Sequence, residues 1–94
     1  MRPERLNGKA VIDSNAQILG EVAGVEIDVP TWKVTHLCIN LTDASIQTLG
    51  YKKPFIGKIQ IDVPVETVKA VRDVIAIEKS TTEIRSIIEP HHRR

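Results

Sequence analysis

Apolar and polar residues alternate along much of this chain, and the alternation predicts a molecule built mainly of strands. Lys9-Ala10-Val11-Ile12 is the first strand signal, introduced by Asn7-Gly8 and closed by Asp13-Ser14-Asn15, whose side chains bond their own backbone and so favour a turn. Ile18-Leu19 opens a long strand running to Val29. Val25, Ile27 and Val29 share one face, with Glu26 and Asp28 on the other. Val22 is out of phase with that set, and Ala23-Gly24 lies between them, the mark of a β-bulge. Pro30-Thr31-Trp32-Lys33 reads as a turn. The return strand is Val34 to Leu41, with Leu37, Ile39 and Leu41 on one face opposite His36, Cys38 and Asn40.

Thr42 to Gly57 is the least regular stretch and reads as a long loop holding Gly50, Pro54 and Gly57. Ile59-Gln60-Ile61-Asp62-Val63 is a short strand ended by Pro64. Val65, Val68 and Val71 recur at i, i+3, i+6, which predicts one or two helical or 3₁₀ turns. Val74 to Ile77 is a continuous apolar run, read as a strand buried on both faces. Ser80-Thr81-Thr82-Glu83 fits a capping box and starts a short terminal helix with Ile84, Ile87 and Ile88 on one side, stopped at Pro90.

Composition sharpens this picture. The chain has 94 residues, 41% hydrophobic and 27% charged, an ordinary balance for one domain spanning 1–94, with a core over about 6–89 and a flexible tail at 90–94. The apolar set is rich in Val and Ile, which suits pleated backbone. Thirteen basic and twelve acidic residues give a net charge of +1, which argues against a dedicated nucleic-acid binder. The single Cys38 cannot form a disulfide within the chain and fits a reducing compartment. No apolar run approaches the roughly 20 residues that cross a bilayer, and no signal-like stretch follows Met1, so a cytoplasmic protein without direct membrane insertion is expected.

Signatures of catalysis are missing. The sequence holds no G-x-G-x-x-G, P-loop, H-E-x-x-H or G-x-S-x-G, so an enzyme is not expected, nor is a cofactor. His36 and Cys38 share a strand face and offer two metal ligands, completed in principle by His91 and His92, but a plain strand face explains them better and no metal is expected. Asp28, Asp62 and Asp73 are candidates for an acid–base group, but each lies beside a Val, at a strand end or just before a strand, where Asp caps turns or faces water. Trp32 at a turn tip either folds back over the sheet or offers a binding hot spot. Tyr51, Lys52, Lys53 and Phe55 in the long loop suit a contact surface for protein, or a loop lid with solvated lysines. Ile84, Ile87 and Ile88 either dock on the chain's own sheet or meet a second copy as dimer contacts.

These residues also carry a resemblance. Gly8-Lys9-Ala10-Val11-Ile12-Asp13-Ser14 through Leu19-Gly20-Glu21-Val22 resembles the opening of PRC-barrel domains, with Ala16 standing where the turn usually has Gly. Leu49-Gly50-Tyr51-Lys52-Lys53-Pro54-Phe55-Ile56-Gly57 and the stretch from Ile61 to Ile75 resemble the compact, stand-alone archaeal members of the CdpB type. The resemblance implies a small β-barrel of about five to six antiparallel strands with a short C-terminal helix. It further implies a non-enzymatic adaptor that forms a homodimer, serves archaeal cell division and binds SepF, the membrane-tethered anchor of FtsZ. The alternative it implies is a ribosome-maturation accessory like the C-terminal domain of RimM, with Lys52, Lys53, Lys58 and the arginine tail as contacts.

Overall fold

The computed structural model describes residues 6–50, 59–87 and 89–90. Six strands of three or more residues lie in one sheet: β1 (Ala10–Ile12), β2 (Ile18–Asp28), β3 (Lys33–Leu41), β4 (Gln60–Pro64), β5 (Val68–Val71) and β6 (Ile75–Ile77). A two-residue strand, β7 (Glu89–Pro90), extends one edge. Two short helices, α1 (Asp43–Leu49) and α2 (Thr81–Ile84), complete the set. The strand order is β5-β6-β1-β2-β3-β4-β7.

Two expectations are corrected here. The sheet is mixed, not antiparallel throughout, because β1 runs parallel to β6 with Val11 opposite Ile75. Their connection passes through four strands and α1, so it is long enough to reverse direction. The sheet is also open among the described residues, with β5 and β7 as its edges, so closure into a barrel is not seen. It is nevertheless strongly curled. Four strand spacings separate β3 from β5 in the order, roughly 19 Å in a flat sheet. Yet Val34 and Leu37 of β3 line the same groove as Val68 and Val71 of β5.

The bulge predicted near Gly24 is present: Val22 pairs with Ile39 and Gly24 with Cys38, leaving Ala23 extra. This explains why Val22 and Val25 both serve the apolar side although three apart. A single core gathers Val11, Leu19, Leu37, Ile39, Leu41, Ile61, Val63, Ile75 and Ile77 from the strands, Ile46 and Leu49 from α1, and Ile84 from α2.

The stretch read as an irregular loop begins with a helix. Thr42 caps α1 by accepting the Ser45 N–H, and Gly50 ends it in the left-handed conformation at φ 83°. The 3-residue period of Val65, Val68 and Val71 comes from a 3₁₀ turn over Val65–Thr67 followed by strand β5, not from a continued helical run. The capping box at Ser80 and Glu83 is formed as predicted, but the helix proper ends at Ile84. The expected tail beyond Pro90 lies outside the described residues.

Candidate functional site

The β2–β3 hairpin reaches past its neighbours. On the β1 side, described pairing with β2 ends at Val22, whose N–H and C=O bond Lys9 and Gly8. On the β4 side, pairing with β3 stops at His36 opposite Pro64. Beyond these points the outer edge of β2 from Gly24 to Asp28 has no described partner strand, and Ile27–Asp28 with Lys33–Thr35 form a two-stranded arm.

The arm ends in a tightly bonded turn. The Trp32 N–H donates to the Asp28 carbonyl at 2.6 Å, and the Thr31 hydroxyl donates to the Asp28 carboxylate at 2.6 Å. Trp32 itself sits at φ 58°, in the left-handed region that hairpin loops normally give to Gly or Asn. Holding a bulky residue there costs on the order of 1–2 kcal/mol. The side chain so placed is 75% exposed, and Val29 beside it is 61% exposed. Of the two readings open for Trp32, packing back over the sheet is therefore not the one adopted. Ile27 and Val34 below the tip are exposed as well.

The apolar surface continues from the arm into a groove at the mouth of the curled sheet. Val25, Val34 and Leu37 of the hairpin line it together with Leu6, Val65, Val68, Val71 and Ile75. Its volume is about 240 Å³, and every lining residue is apolar. Val71 and Val74 carry the exposed apolar surface onto the far rim. Val34 belongs to both the arm and the groove, and exposed apolar surface gathered in this way marks a docking surface.

The remaining candidates fare differently. Tyr51, Lys52, Lys53 and Phe55 lie outside the described residues, as does Ile88. Ile84 is fully buried in the chain's own core and cannot be a contact to a second copy, which corrects that expectation. Burying such a side chain is worth about 1.5–3 kcal/mol, so α2 is held down by it. Ile87 is half-buried in the turn that follows.

His36 and Cys38 do share a face, but their neighbours do not suit a metal. The Cys38 thiol is buried opposite Asp62. Burial first, then a hydrogen bond to and the charge of Asp62, then Glu26, push its pKa up to about 12. A thiol that keeps its proton is a poor ligand and nucleophile. The His36 ring instead contacts the Thr35 hydroxyl at 3.0 Å and the Glu26 carboxylate at 3.6 Å. Among the described residues no group of three or more His, Cys, Asp and Glu is arranged to hold a metal. Asp28, Asp62 and Asp73 lie at the hairpin tip, on β4 and in the β5–β6 turn, three separate places.

Sequence reasoning found Trp32 but missed the groove. Val65, Val68 and Val71 suit helical or 3₁₀ turns in the sequence; Val65 does start a 3₁₀ turn, but Val68 and Val71 share a strand face through the register shift between Val68 and Ala70. Asp13 was also read only as a turn residue. It is 3% exposed and accepts bonds on both oxygens, from the Asn15 and Gln17 N–H groups and from the Thr81 N–H and hydroxyl. It therefore ties the first turn to the start of α2.

No known protein-family model matches this chain, and no curated protein matches it.

Proposed function

We propose that this chain is a non-enzymatic adaptor of the PRC-barrel type that docks another protein on the hairpin arm and the groove beneath it. In this reading the curled sheet is a small barrel left open between its edge strands, and the groove is the apolar hollow inside the curl. The observation that carries the docking role is Trp32, strained, rigidly bonded and three-quarters exposed at the end of an apolar surface. Backbone strain that lowers stability persists where it serves a function, and Trp is the residue type most enriched in binding hot spots.

The client we propose is the SepF-like anchor of the archaeal division ring, which makes the protein a cytoplasmic factor recruited to the division site. No described helix is long and apolar enough to cross a membrane, so recruitment through a partner suits it. Calorimetric titration with the C-terminal domain of SepF from the same organism tests this. Micromolar binding is expected, weakened about 10- to 30-fold by Trp32→Ala with the melting temperature unchanged. Absence of binding overturns the division reading and points to the ribosome-maturation alternative, whose contacts Lys52, Lys53 and Lys58 lie outside the described residues.

A further inference from the structure

We infer that the outer edge of β2 from Val25 to Val29 is a strand-addition site, and that its ligand is an extended segment alternating apolar and basic side chains. The inference rests on the adaptor reading and names the chemistry of the partner.

The backbone supplies the first argument. The Glu26 carbonyl is within reach of the Thr35 hydroxyl on β3, and the Asp28 carbonyl accepts the Trp32 N–H across the turn. Residues 26 and 28 thus direct their polar groups toward β3. Because these directions alternate along a strand, Val25 and Ile27 direct theirs outward. Among the described residues nothing pairs with them there. An open edge that runs into a two-stranded tip gains from an added strand, which satisfies those groups and stiffens the tip.

The side chains supply the second argument. Val25 lines the apolar groove and Ile27, two residues on along the same strand, is exposed, so every second residue of an added strand would extend that apolar surface. On the opposite face the outermost column is acidic, Glu26 and Asp28. Their cross-strand partners on β3 are His36 and Lys33, so a basic added strand would supply cations on the side of the acids that β3 leaves free. A second copy of this edge would set acid against acid and is disfavoured. Space is also present on that face, since a Cβ built at Gly24 meets nothing within 4 Å.

Hydrogen exchange on the full chain tests this, using an acetylated, amidated hexapeptide of alternating Lys and Val and its Glu–Val counterpart. In the free protein the Val25 and Ile27 amides should exchange as open edge groups. The Lys–Val peptide should slow both at least about tenfold, as satisfied strand hydrogen bonds do. The Glu–Val peptide should do so far less, and Glu26→Lys should narrow or reverse the preference. Protection of these amides already in the free protein overturns the proposal, because the edge is then taken. So does equal action of the two peptides, or binding that leaves Val25 and Ile27 unprotected. Failure here with SepF binding intact and Trp32-dependent removes strand addition alone; failure of the SepF titration with the peptide effect intact removes the client alone.

Discussion

Among the described residues, Ala16 and Trp32 stand in backbone conformations made for glycine. Ala16 lies at φ 63° in the turn after β1, with its N–H donated to the Asp13 carbonyl at 3.0 Å. Trp32 lies at φ 58° in the hairpin turn. Both should be relieved by glycine, by about 1 kcal/mol each after the entropy that glycine adds to the unfolded chain. Urea denaturation of Ala16→Gly and Trp32→Gly should therefore show raised midpoints with unchanged slopes. Only Trp32→Gly should lose partner binding, which separates a strain kept for a surface from one that is merely tolerated. Asp13 is the opposite case, a residue whose environment suits it. Burial raises its pKa, but the Thr81 hydroxyl and the Gln17, Thr81 and Asn15 N–H groups together hold it below the usual carboxylate range. Its folded pKa lies below its unfolded one, near 3.9, so the stability it contributes is complete above that value and is lost as pH falls through the folded pKa. Asp13→Asn should cost about 2–3 kcal/mol at neutral pH and flatten the acid limb of the stability curve. Chemical denaturation at a series of pH values checks both.

At the scale of elements, bulges decide what the sequence made legible. The one at Ala23 was readable because a Gly stood beside the phase change and long alternating runs framed it. The one in β5 was not, because a four-residue strand is too short to establish a period, and its Val68 and Val71 imitate a helix. The α1 helix carried its own signals, a Thr42 cap, buried Ile46 and Leu49 three apart, and Gly50 after the end. Seven residues with one and a half apolar turns are outweighed by the loop chemistry that follows, so the reading there favoured loop. Mixed pairing was illegible for a different reason: nothing local to β1 says that its second neighbour comes from 64 residues later. Gly20 shows how tightly these elements meet. Its missing side chain lets β2 approach β3, and a Cβ there would overlap the Asn40 carbonyl and crowd Ile39. Gly20→Ala should destabilise by about 3 kcal/mol or more, since backbone rather than a flexible side chain must yield. A fall in the urea midpoint near zero would show that the two strands are not packed at contact.

For the whole molecule, the apolar patch is the feature a solution experiment will notice first. We propose that it also supports self-association, so that the protein forms a homodimer in the micromolar range. Static light scattering across a dilution series should show mass rising with concentration, and Trp32→Ala should weaken that rise. A mass fixed at that of one chain would remove the homodimer and leave the patch to a different protein. The core behind the patch, from β1 to α2, should be unaffected by either outcome.

The bond between Asp13 and Thr81 spans 68 positions, and the β1–β6 pairing spans nearly as many. Synthesis from the N-terminus therefore delivers β1 long before the strand it needs. While the ribosome is still at work, β2 and β3 can close on each other as a local hairpin, but β1 keeps one side bare until β6 emerges, and its turn stays untied until Thr81 does. Contacts of such separation slow folding and concentrate it late. The nascent chain thus shows its exposed Trp32 arm early and its finished scaffold last, which leaves a window in which a strand-seeking partner or a chaperone meets the arm before the groove exists.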